Sequence, residues 1–125
     1  MPLAEIDFSE FPADLHRIVS YKGKWDEESF EYNHSPRCFP NNLPAPVQQA
    51  MRNMAQECFT LFALRDYARV DLRLNQKGEL YILEINANPC LSPDGGFAAA
   101  VAENKMNYTE MVGEFIRLVA LRVVL

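Results

Sequence analysis

One stretch constrains this chain more than any other. Ala68, Val70, Leu72 and Leu74 alternate with Arg69, Asp71 and Arg73, the period of two that a strand imposes by pointing successive side chains to opposite faces. Asn75-Gln76-Lys77-Gly78 follows with turn chemistry, and Glu79 to Asn86 is a second run of similar length, so the pair reads as a β-hairpin. A four-residue loop from Gln76 to Glu79, with Asn75 paired to Leu80, sets Asp71 opposite Glu84, Arg69 opposite Asn86 and Arg73 opposite Ile82. Directly opposite residues share a face. One face then carries Arg69, Asp71, Arg73, Glu84 and Asn86, the other Val70, Leu72, Leu83 and Ile85. A slip of one residue would separate the two acids.

Two carboxylates and an amide oxygen on one face suit a hard cation. Mg²⁺ prefers oxygen ligands, keeps several waters, and is commonly held by one or two carboxylates together with substrate phosphates. Arg69 and Arg73 beside them would meet phosphate oxygens the cation leaves free. The same charges also describe a solvated strand face with cross-strand arginine–carboxylate pairs. The alternation by itself leaves both readings open.

The flanking segments supply helices. Val47, Ala50, Met51, Met54, Cys58, Leu61 and Phe62 recur at the spacing of one helical face, and Pro44 or Pro46 suits the first turn. Ser92-Pro93-Asp94 predicts a helix start with Ser92 as N-cap, running to about Glu103. A last helix is expected from Asn107, with Glu110 completing a capping box and Met111, Val112, Phe115, Ile116 and Val119 as its buried stripe. Earlier in the chain, Pro2 to Pro12 reads as irregular, His16 to Tyr21 as a strand, Asp26 to Glu31 as a solvated loop or strand end, and Asn33 to Pro46 as a connecting loop.

Composition narrows the class. With 125 residues, 49% hydrophobic and 23% charged, the chain can close one core, and it is too apolar for disorder. No apolar run approaches a membrane span; Leu118 to Leu125 is short and broken by Arg122. The acidic start does not resemble a signal peptide, and a net charge of −5 argues against nucleic acid as partner. Cys38, Cys58 and Cys90 are odd in number and far apart, so they read as free thiols in a reducing, cytoplasmic setting. Cys90 is expected to be a small buried thiol, Trp25 a core anchor, and His16 and His34 surface or loop residues without metal partners.

Tyr67-Ala68-Arg69-Val70-Asp71-Leu72-Arg73, followed by Leu83-Glu84-Ile85-Asn86-Ala87-Asn88-Pro89, resembles the carboxy-terminal signature of ATP-grasp ligases, in particular the D-alanine–D-alanine ligase group. The thirteen-residue interval from Asp71 to Glu84, the Glu-x-Asn triplet, the segment Leu91-Ser92-Pro93-Asp94-Gly95-Gly96-Phe97 and the final amphipathic helix all fit. Upstream, Ser20-Tyr21-Lys22-Gly23-Lys24-Trp25 resembles the segment in which these ligases place a phosphate-contacting lysine, here Lys24. The resemblance implies an α+β fold: an antiparallel sheet with a central β-hairpin packed by about three helices, the carboxy-terminal half of an ATP-grasp fold, as a single partial domain over residues 1–125.

It also implies an ATP-dependent carboxylate–amine ligase. A carboxylate attacks the γ-phosphate to give an acyl phosphate, and an amine then displaces phosphate. Asp71, Glu84 and Asn86 would hold two Mg²⁺ ions, or Mn²⁺, with Glu84 between them. Arg69 would stabilise the phosphate in flight, and Lys24 would contact the terminal phosphates. Substrates would be small carboxylates and amines, amino-acid or peptide-like, and no nucleic acid or membrane partner is implied. The chain has Cys90 where these ligases usually have Gly, and offers no hydroxyl at Gly95 or Gly96, which leaves the joined pair open. No glycine-rich phosphate loop or adenine-binding hinge is recognisable, so a fragment corresponding to the last third or so of a ligase is expected. The alternative is a catalytically silent fragment serving as an interaction module, with exposed apolar surface driving self-association into a homo-oligomer.

Overall fold

The computed structural model describes residues 1–40 and 42–123, the side chain of Val123 excepted. It is an α+β structure: among the described residues, five helices accompany two antiparallel sheets of two strands each. Its contacts divide into two compact units, Leu3–Asn41 and Asn42–Leu125 with Met1–Pro2.

In the smaller unit, β1 (Glu5–Ile6) pairs with β2 (Arg37–Cys38), Glu5 opposite Cys38 and Ile6 opposite Arg37. Both short strands lie within segments expected to be irregular or connecting. Two short helices come between them, α1 (Tyr21–Trp25) and α2 (Phe30–Asn33). Aromatic rings make the core: Phe11, 5% exposed, has the Phe8 ring at 5.0 Å edge-on and the Phe30 ring at 5.8 Å. His34 closes α2 and stacks on Phe30 at 3.9 Å. The acidic run is a turn, with Asp26 as C-cap of α1 and Ser29 as N-cap of α2.

The strand expected over His16 to Tyr21 does not form. Ile18 N–H donates to the His16 carbonyl, and Ser20 Oγ accepts from Gly23 N–H at 3.1 Å, starting α1 at Tyr21. β-Branched residues favour a strand only where a pleated, half-buried surface receives them. Ile18 and Val19 are instead exposed, and a local cap wins.

The larger unit holds α3 (Ala45–Leu61), β3 (Arg69–Leu74), β4 (Leu80–Asn86), α4 (Gly96–Glu103) and α5 (Tyr108–Val123). Pro44 is the N-cap of α3 and Pro46 sits in its first turn, where a missing N–H breaks no hydrogen bond. The expected apolar face is buried at Cys58 and half-buried at Met51 and Met54, but it runs out into solvent at Leu61 and Phe62.

The other two helices need corrections. Ser92 does not cap α4. Its carbonyl accepts from Gly95 N–H at 2.8 Å, so Ser92-Pro93-Asp94-Gly95 closes as a turn, and α4 starts one residue later with Gly95 as N-cap. Pro at the second position and Gly at the fourth are turn chemistry as much as helix chemistry. α5 does begin with the expected capping box: Asn107 N–H donates to Glu110 Oε2 at 2.7 Å and Glu110 N–H to Asn107 Oδ1 at 2.9 Å. Its stripe is only partly buried. Met111 is 2% exposed and Phe115 stacks on Tyr67 at 4.5 Å, yet Val112, Ile116 and Val119 face solvent. The core of this unit is the cluster of Tyr67, Phe97 and Phe115 with Ala98, Val101 and Met111.

Candidate functional site

The β3–β4 hairpin positions the charged groups. Its turn is fastened by one side chain: Asn75 Oδ1 accepts from Lys77 and Glu79 N–H, both at 2.9 Å, while Asn75 N–H donates to the Glu79 carbonyl at 3.0 Å. Gly78 sits at φ +81°, the left-handed region glycine enters without a Cβ penalty. The first ladder pair is therefore Leu74 with Leu80, then Arg73 with Tyr81 and Leu72 with Ile82. At the open end the pairs are Arg69 with Asn86, Val70 with Ile85 and Asp71 with Glu84.

The two ends are out of phase by one residue, and Leu83 is extruded between them as a bulge. Arg73 thus faces Tyr81, not Ile82 as expected from an even ladder, and Leu83 pairs with nothing across the strand. The physical gain is in the pattern. With the bulge, Leu80, Ile82 and Ile85 all share the face of Leu74, Leu72 and Val70, while Tyr81, Glu84 and Asn86 share that of Arg73, Asp71 and Arg69.

Four of the five expected site residues, Arg69, Asp71, Glu84 and Asn86, therefore come together on one face, with Asp71 directly across from Glu84. Arg69 grips Asp71 with a two-pronged bond, Nε to Oδ1 at 2.7 Å and Nη2 to Oδ2 at 2.9 Å. The pair runs along one strand, not across two. The hydrogen bonds that Arg69 donates to Asp71, backed by the charges of Asp71 and Glu84, hold Arg69 above its ordinary guanidinium range against the opposing effect of partial burial. Glu84 is exposed, and Asn86 Oδ1 accepts from Asn88 N–H at 2.9 Å.

The donor chemistry fits a magnesium-like ion. All the donors are hard oxygens, and each Asp71 oxygen retains a second lone pair beside its arginine bond. Two carboxylates alone are few, and no group of three or more His, Cys, Asp or Glu suited to a metal occurs among the described residues. A cation here would lean on Asn86, water and ligand oxygens.

Lys24, the fifth expected residue, lies on α1 in the smaller unit, its Nζ 5.3 Å from the centre of the Trp25 ring. Trp25 is not a core anchor but 65% exposed, and the five-residue helix has no buried side chain to seat it. The bulge at Leu83 and the Lys24–Trp25 contact are the features sequence reasoning missed; adjacency of a cation and an indole was the only signal for the second. Cys90 is also exposed, not buried, and its Sγ–H donates to Ser92 Oγ at 3.2 Å. No helix among the described residues is long and apolar enough to cross a membrane.

The larger unit thus joins three helices to a hairpin that carries an opposed acid pair, a forked arginine and an amide on one face. The family described as D-ala D-ala ligase C-terminus matches residues 9–117, and the chain belongs to that family. It is 33% identical over 105 residues to the D-alanine–D-alanine ligase of Desulforudis audaxviator, covering 83% of this chain and 34% of that protein. It is 26% identical over 92 residues to the vancomycin C-type resistance protein VanC2 of Enterococcus casseliflavus, covering 74% of this chain and 26% of that protein. An uncharacterised protein of Sinorhizobium fredii is 27% identical over 112 residues, 90% of this chain and 31% of its own length. The chain spans between about a quarter and about a third of these relatives.

Proposed function

We propose that residues 1–125, as one partial domain, carry the cation- and phosphate-handling face of a cytoplasmic, ATP- and Mg²⁺-dependent carboxylate–amine ligase working through an acyl phosphate. The observation that supports this most is the opposition of Asp71 and Glu84, with Arg69 and Asn86 as the neighbouring pair, in a chain of this family. Asp71, Glu84 and Asn86 would hold Mg²⁺ or Mn²⁺. Bound divalent ions supply positive charge where phosphoryl oxygens gain negative charge. Arg69 orients the transferring phosphoryl group and offsets charge that builds on oxygen in both steps, and Lys24 binds terminal phosphates. The substrates are a small carboxylate and a small amine, amino-acid or peptide-like.

The test is phosphate release from ATP with candidate amino acids in the full-length ligase carrying this segment, wild type against Glu84→Gln. Turnover is expected to fall by roughly a hundredfold or more, with thermal stability nearly unchanged. Equal activity would make the hairpin a structural charge ladder.

A second reading, an interaction or self-association module, is favoured by exposed apolar side chains: Leu61 at 81%, Leu83 at 65% and Ile116 at 65%. Sedimentation at rising concentration would give oligomers on this reading, and a strict monomer would refute it.

A further inference from the structure

The Arg69–Asp71 fork has a consequence for how the site is loaded. Each oxygen of Asp71 accepts one bond from the same guanidinium, at 2.7 and 2.9 Å, and that guanidinium also feels the charge of Glu84 opposite. A divalent cation placed between Asp71 and Glu84 would set two cations, itself and the guanidinium, against the same carboxylate. The fork is only partly shielded, with side chains 42% and 36% exposed, so solvent can take over its hydrogen bonds when it opens.

We propose that Arg69 is the resident counter-ion of Asp71, and that entry of a divalent cation displaces it, freeing the guanidinium for a phosphoanion. This rests on the metal reading above and adds an order of events to it. The cation exchanges for an arginine, and the arginine released is the group that then binds phosphate oxygens. Cation and phosphoanion therefore bind with positive coupling, because each removes a competitor of the other: the anion keeps Arg69 off Asp71, and the cation keeps Asp71 off Arg69. No covalent step is involved.

The test is titration of the 125-residue chain with Mn²⁺, followed by calorimetry and by the Mn²⁺ paramagnetic signal, in wild type, Arg69→Gln, Arg69→Lys and Arg69→Gln/Glu84→Gln. Without any phosphate ligand, Arg69→Gln should bind Mn²⁺ roughly tenfold more tightly than wild type, the scale of a charge-assisted, partly solvated hydrogen-bonded pair. Arg69→Lys keeps the charge but cannot span both oxygens, and should gain about threefold. Inorganic phosphate should tighten Mn²⁺ binding to wild type and not to Arg69→Gln.

Mn²⁺ affinity unchanged in both single variants, with binding still lost in the double variant, would overturn the displacement while leaving the metal site standing. Tighter binding in Arg69→Gln but not in Arg69→Lys would reduce the effect to net charge and also overturn it. Absence of Mn²⁺ binding in wild type and Arg69→Gln alike would overturn the metal reading itself, and the displacement with it.

Discussion

Deleting Leu83 tests the register on which the candidate site depends. The residue is the extra one between two correctly phased halves of the hairpin, so its removal lets Ile82 and Glu84 follow one another as partners of Leu72 and Asp71. Every observed pair survives on paper, and each side chain stays on its present face. Leu83 is 65% exposed. Burying a whole leucine side chain is worth about 1.5–3 kcal/mol, so losing its buried third costs at most about 1 kcal/mol. A regularised ladder recovers about 0.5–1.5 kcal/mol for each hydrogen bond gained. The two nearly offset, and the melting temperature should move by no more than about 4 °C.

Deleting Ile85 is the control. Asn86 would then fall opposite Val70 on the apolar face, and the Arg69–Asn86 pair would be lost. Placing a poorly bonded amide there costs about 1–3 kcal/mol before any lost packing. The assays are thermal melting and cross-strand nuclear Overhauser contacts between Asp71 and Glu84. A loss above about 2 kcal/mol on deleting Leu83, or disappearance of those contacts, would refute the two-phase account of the hairpin.

Three further outcomes are expected. Asn107→Ala should cost about 1 kcal/mol by removing the cap of α5, and Glu110→Ala on top of it should add little, since the two side chains form one reciprocal box; chemical denaturation of both variants checks this. Gly95→Ala should destabilise by about 1–3 kcal/mol, because its Cβ would lie 2.9 Å from the Ser92 carbonyl and 3.2 Å from that of Cys90, read as a lowered melting temperature with α4 frayed. Burial, then Glu5 and Asp7, raises the Cys38 thiol above its ordinary range. Its contribution to stability is thus complete below the ordinary thiol pKa and lost as pH rises through the raised one. Alkylation of Cys38 should be slower in the folded chain than in the unfolded one at mildly alkaline pH, and equal rates would contradict the shift.

What the sequence by itself determined were features whose causes lie within a few residues. The alternation from Ala68 to Leu74, the Asn75–Gly78 turn, the proline-led start of α3 and the Asn107–Glu110 box each close through neighbours in the chain, and each stands within a residue or two of expectation. The pairing of Asp71 with Glu84 was legible too, because a slip of one residue would have put the two acids on opposite faces.

Tertiary structure decided what depends on a surface supplied from elsewhere. His16–Tyr21 has strand-favouring residues but no pleated neighbour among the described residues, so Ser20 caps a helix there instead. Trp25, Cys90 and three of the five residues of the α5 stripe have apolar character, yet they stand exposed in the structure. The bulge belongs between the two kinds. Asn75 fixes the ladder from the turn, the side-chain pattern fixes it from the open end, and the phases differ by one residue. Each signal is local, but only the folded hairpin brings them into conflict, and the extrusion of Leu83 resolves it.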